Sequence, residues 1–199
     1  MKTIIAVVLI GILTYAFAET TDKIEKCQEV SPMENFDSTK LRKGTWFMTR
    51  AKNGTASTLC QKFKFEHDSE KNLVVRYGFH ISDEFYKARC NCSKDTEEGK
   101  CSSKCTLTRV EKGASGKSGN FQADFVIIAT DYENYAIVYR CVKIGTEIIG
   151  DNFLILIPNR AAIKHEEIKK LLSDKLNLRL NDFHTRKNQK CKSIKDNMF

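Results

Sequence analysis

Apolar and polar residues alternate along most of this chain with a period of two, the repeat of a strand that buries one face. Phe121, Ala123, Phe125 and Ile127 alternate with Gln122, Asp124, Val126 and Ile128. Gln61, Phe63 and Phe65 stand against Lys62, Lys64 and Glu66, one apolar and one charged face, so a strand is predicted over 59–66. The pattern predicts further strands over 45–50, 73–81 (Val75, Tyr77 and Phe79 on one side), 85–92, 105–110, 136–142 and 153–157. Thr130 to Asn134 is short and polar and favours a turn. The glycine-rich stretch 113–119 reads as a hairpin loop. A phosphate loop would need glycine at 111, where Glu111 stands. The period changes to that of a helix over 165–177, where Ile168, Leu171, Leu172 and Leu176 share a face. Leu178, Leu180 and Phe183 then return the chain to the strands. The fold expected is all-β: an eight-stranded up-and-down antiparallel barrel with one C-terminal α-helix.

Residues 1–18 read as a secretory signal peptide. Lys2 supplies the positive end, 4–13 the apolar stretch, and Ala16-Phe17-Ala18 a small-residue cleavage site. That stretch is too short to span a bilayer, so 19–199 is expected as one exported domain with no membrane partner. All eight cysteines lie within it: Cys27, Cys60, Cys90, Cys92, Cys101, Cys105, Cys141 and Cys191. An even count in an exported chain implies four disulfides and leaves many pairings open. An oxidising compartment disfavours zinc at 90–105, and cysteines 90 and 92 share a strand face. The expectation there is Cys92–Cys101 nested within Cys90–Cys105. Asn53-Gly54-Thr55 and Asn91-Cys92-Ser93 are N-glycosylation acceptors.

The formal net charge is +8, which favours anions and acidic surfaces. The basic residues are spread along the chain without a base-stacking motif, so nucleic acid is not an expected partner. They read either as a solvated face or as an anion-binding patch. Catalysis finds no support. His165-Glu166 begins like a zinc-protease helix, but Lys169 stands where the second histidine is needed. No nucleophile–base pair or metal cluster is evident, and no enzyme is expected.

Three short motifs stand in one order. Gly44-Thr45-Trp46 opens the first strand, Thr130-Asp131-Tyr132 forms the turn, and Arg160 follows the last strand. Together they resemble the marks of the lipocalins. That resemblance implies a barrel closed at one end, with Arg160 packed over Trp46 in a cation–π contact of about 0.5–2 kcal/mol. The leader, the segment Cys60-Gln61-Lys62-Phe63, the strand 121–125 and the tail Asn181-Asp182-Phe183 to Cys191 are similar to the salivary lipocalins of blood-feeding triatomine bugs. The likeness runs over nearly the whole mature chain. It implies Cys27–Cys141 and Cys60–Cys191.

The family resemblance implies a secreted salivary protein that impairs host haemostasis. In one reading it sequesters a small platelet agonist or vasoconstrictor (ADP, a biogenic amine or an eicosanoid) inside the barrel. Phe63, Phe65, Tyr77, Phe79, Phe125 and Ile127 are then the candidate lining. In the alternative reading its outer surface inhibits a coagulation or contact-pathway factor. No cofactor is expected. Haem would need a ligand such as His67 or His80, and neither matches the position where related haem carriers hold iron. A monomer is expected.

Overall fold

The computed structural model describes residues 24–93, 98–111, 114–158 and 164–195; the leader at 1–18 lies outside them. Strands β1 (Trp46–Ala51), β2 (Lys62–His67), β3 (Leu73–Ile81), β4 (Glu84–Cys92), β5 (Lys100–Glu111), β6 (Ala114–Thr130), β7 (Ala136–Ile144) and β8 (Glu147–Pro158) run up and down in sequence order. Each pairs antiparallel with the next, and β1 pairs with both β2 and β8, which closes the sheet. Closure leaves few unpaired strand edges. β1 meets β2 only at Trp46↔Phe63 and Phe47↔Lys62. Farther along, at Arg50 and Ala51, its partner is the two-residue strand β9 (His184–Thr185) from the C-terminal segment. The fold is thus an eight-stranded, closed antiparallel barrel with one C-terminal helix.

Alternation sorts the side chains into two layers. Inside the barrel lie Trp46, Met48, Phe63, Tyr77, Phe79, Phe121, Ala123, Phe125, Ile127, Leu154 and Leu156. The outward residues of β6–β8, among them Val126, Ile137, Tyr139, Phe153 and Ile155, form a second cluster under α2 (His165–Leu176) with Ile168, Leu172 and Phe183. With both faces covered, β8 is buried from Ile149 to Pro158, which is why 153–157 reads as an unbroken apolar run. Asn177 ends α2 in the left-handed conformation, and Leu178 N bonds back to Leu172 O at 3.1 Å.

Two sequence expectations change. The stretch 59–66 is not all strand. Thr55 accepts from Thr58 N at 3.2 Å and caps a short helix, α1 (Ala56–Leu59), so β2 begins at Lys62. The expected loop 113–119 lies within β6 from Ala114 onward. β5 reaches Glu111 and offers partners such as Thr108↔Ser118 and Leu107↔Gly119, so the ladder prevails over glycine's freedom.

Four disulfides close the structure: Cys27–Cys141, Cys60–Cys191, Cys90–Cys105 and Cys92–Cys101. The last two are nested on adjacent strands, with Cys90 directly opposite Cys105. The first two span 114 and 131 residues and tie the segments around Cys27 and Cys191 to the barrel. A chain-entropy treatment assigns loops of that length about 4–5 kcal/mol each.

At the closed end Trp46 is fully buried, donates Nε1–H to Arg42 O at 3.0 Å and packs edge-on against Phe65. Arg160, expected over this ring, lies outside the described residues. Tyr132 stacks on Phe36, and its hydroxyl accepts from Asp37 N. Asp131 organises the β6–β7 turn by accepting from the backbone N–H of Glu133, Asn134 and Tyr135 and from the Asn134 side chain. It also pairs with Lys164 at 3.0 Å, joining the turn to the start of α2. Burial alone pushes the Asp131 carboxyl up, but the bonds from Asn134, Lys164 and Tyr135 outweigh it and hold it well below the usual carboxylate range. A depressed carboxyl adds stability above its unfolded value, and that stability is lost as pH falls through the folded one. Asp131→Ala is therefore expected to lower stability at pH 7 by about 2 kcal/mol. Thermal unfolding from pH 7 down to strong acid checks this: the gap from the wild type should shrink continuously below about pH 4.

Candidate functional site

The strand-by-strand alternation places Gln61, Phe63, Tyr77, Phe79, Tyr86 and Arg140 on the inside of the barrel. Their rings form a cross-strand stack: Phe63 on Tyr77 at 5.2 Å, Tyr77 on Phe79 at 6.1 Å and Phe79 on Tyr86 at 5.9 Å. The guanidinium of Arg140 lies over Tyr77 at 5.2 Å and over Phe63 at 5.8 Å. It donates to Gln61 Oε1 at 2.9 Å. Arg140 is 1% exposed, and Gln61 and Tyr77 are fully buried.

A full positive charge in so dry a place is expensive to keep, and burial lowers the Arg140 pKa to about 10 while Tyr77 raises it. Burial also pushes the Tyr77 phenol up to about 12, with Arg140 pulling the other way. Both groups keep their ordinary charge at neutral pH. Gln61 Nε2 and Tyr77 Oη are buried without a hydrogen-bond partner. Two such groups, on side chains that both touch Arg140 (Gln61 through Oε1, Tyr77 through its ring face), are unusual in a folded interior.

The six expected lining residues are brought together inside the barrel. They belong to one buried core cluster, in which Phe63, Tyr77, Phe79 and Phe125 expose 2% or less of their surface. Clefts lined by described residues open on the outside of the barrel as well. One of about 450 Å³ lies between α2 and the wall at Thr49, Ile155, Ile157 and Ile168. A small molecule entering the barrel must part the aromatic stack.

The mouth is covered. Thr58 and Leu59 of α1 are buried over it, and the following Cys60 is stapled to Cys191. Asn53, just before α1, exchanges two bonds with Asn152, and its Nδ2 donates to Asp151 O at 3.0 Å. That half-buried nitrogen is the one a glycan would use, whereas Asn91 is exposed on β4. At the rim Tyr86 donates to Glu84, which pairs with Arg109 at 3.0 Å. Asp151, the one buried carboxylate among the described residues, lies in the outer layer, where it accepts from Tyr139 and Gln28.

Neither histidine weighed for haem enters the interior. His67 meets Ser38 at 2.8 Å on the surface, and His80 packs on the outward Phe85. No cluster of three metal-ligating groups occurs among the described residues. The sequence reading missed Arg140 and Gln61. The signal was present: Arg140 is in phase with the inward Ala136, Val138 and Val142, and Gln61 with Phe63 and Phe65.

Comparison with known proteins agrees with this architecture. Triafestin-2 of Triatoma infestans is 33% identical over 94% of this chain and 91% of its own. Triabin of Meccus pallidipennis is 30% identical over 78% of this chain and 91% of its own. Among solved structures, the tryptamine complex of the amine binding protein of Rhodnius prolixus shares the fold, with a TM-score of 0.67 and 17% identity over 84% of this chain and 90% of that one. The family model described as Triabin matches residues 18–165. The chain belongs to the Triabin family.

Proposed function

We propose that this protein is a secreted, non-enzymatic salivary binder that impairs host haemostasis by sequestering a small agonist or vasoconstrictor in its barrel. We further propose that the ligand carries a single acidic group on an apolar body, as an eicosanoid does. The observation that carries this reading is the buried cluster of Arg140, Gln61 and Tyr77, in which Gln61 Nε2 and Tyr77 Oη lack partners. A ligand carboxylate accepts from both and neutralises the guanidinium, a charge-assisted geometry that arginine favours. The aromatic stack supplies the apolar surroundings such a ligand needs.

A biogenic amine suits the interior less well. It needs an inward carboxylate, and the buried Asp151 is on the outer layer. ADP carries several negative charges against one buried cation. The amine-binding structural relative supports the fold and not the ligand. Capture by mass action at nanomolar to micromolar agonist levels requires a Kd of roughly 10–100 nM, about −10 to −11 kcal/mol. Affinity must also offset the parting of the packed rings. We retain inhibition of a coagulation factor by the outer surface as the alternative.

Calorimetric titration of the disulfide-complete protein with a thromboxane mimic, ADP, serotonin and noradrenaline tests the reading. One-to-one binding of the mimic below about 100 nM is expected, with at least a tenfold loss in Arg140→Met. That substitution removes a buried charge at similar volume, so the fold should survive it. Tight binding of an amine alone, or silence across the panel, overturns the proposal. No haem is expected either, and the absorbance of protein incubated with haem should show no shifted Soret band.

A further inference from the structure

The outward face of β2–β5 is strongly basic. Lys64, Arg76 and Arg89 lie opposite one another on three adjacent strands, through the registers Lys64↔Arg76 and Arg76↔Arg89. Neighbouring strands are about 4.8 Å apart, so the three cations form a row across the sheet. Thr106 continues the row on β5. Lys87 stands two residues from Arg89 on the same face, and Lys104 is two from Thr106. Glu66, paired with Arg76 at 3.2 Å, is the one carboxylate among the described outward positions of these strands.

Like charges directly opposite each other weaken a sheet, yet Arg76 and Arg89 face each other in mid-strand. Beside them is a cleft of about 330 Å³ lined by Arg76, Lys87, Ala88, Arg89, Thr106 and Thr108. The cleft therefore offers three cations and two hydroxyls. Among the described outward residues of these strands no phenylalanine, tyrosine or tryptophan ring is exposed: Phe85 is 5% exposed and packs on His80. Bases have nothing to stack on, which disfavours single-stranded nucleic acid. The four disulfides suit an extracellular setting, where the abundant linear polyanions are sulfated polysaccharides.

We propose that the outer face of β2–β5 binds a sulfated glycosaminoglycan chain, with Arg76, Lys87 and Arg89 at the centre and Lys64 and Lys104 at the flanks. Sulfates engage the cross-strand row, and the threonine hydroxyls donate to sugar or sulfate oxygens. The site is independent of the barrel interior, which lies on the opposite side of the same strands.

The test is calorimetric titration of the full disulfide-bonded protein with a size-defined heparin oligosaccharide over a salt series. Saturable binding is expected at physiological salt, weakening log-linearly with a slope of roughly 3–5, one for each cation neutralised. Arg76→Gln/Lys87→Gln/Arg89→Gln should lose at least tenfold in affinity. Lys169→Gln/Lys170→Gln/Lys175→Gln on α2 makes the same change in net charge and should bind as the wild type does. Arg89→Gln alone should raise the melting temperature, because it relieves the opposed pair. Equal losses in the two triple variants reduce the effect to net charge and overturn the site. Equal affinity for single-stranded DNA of matched charge, or no saturable binding at physiological salt, also overturns it.

Discussion

Everything in this molecule depends on β1 pairing with two strands at once. By bonding to β8 along its length and to β2 at Trp46 and Phe47, it turns a meandering sheet into a barrel. Only then does the alternation of each strand have a single meaning, inside or outside. The contact with β2 is short, and the C-terminal segment supports it. β9 takes the remaining edge of β1, while Cys191 holds the tail to Cys60 at the start of β2. The tail reaches farther still, with Ile194 buried and its carbonyl accepting from Lys62. Closure is therefore shared between the barrel strands and the segment from His184 to Ile194.

A closed barrel makes an interior without deciding what fills it. Here stacked aromatic rings and aliphatic side chains line it, and Arg140 is buried among them. Such a residue adds little to stability, since an apolar side chain of similar volume usually serves as well or better. Its guanidinium is held by ring faces and Gln61, while Tyr77 Oη and Gln61 Nε2 stay unsatisfied. Polar groups left in that state are destabilising by about 1–3 kcal/mol each. Their cost is more readily understood as preparation for a ligand than as a means of holding the fold.

The mouth and the floor are built differently. The floor is a set of bonds between the backbone and the side chains of Asp131, Tyr132 and Trp46. The mouth is covered by four residues of helix on a loop, fixed by the Asn53–Asn152 exchange and one disulfide. Coverings with few buried contacts open more easily than strands do.

The sequence by itself determined the strands, the order of the turns, the helix and the side on which most residues lie, because these follow from the period-two and period-3.6 patterns of single segments. The face carrying Phe63, Tyr77 and Phe125 could be read from alternation alone. It went wrong where neighbours decide. The glycine-rich stretch after β5 became strand because β5 supplied a partner, and Leu59 became part of a helix because Thr55 capped it. The tertiary structure alone decided that Arg140 from β7 meets Gln61, just before β2, and Tyr77 from β3, since those residues are far apart in the chain. It alone placed Lys64, Arg76 and Arg89 in one row. Register is set by hydrogen bonds between strands, and no single strand carries that information.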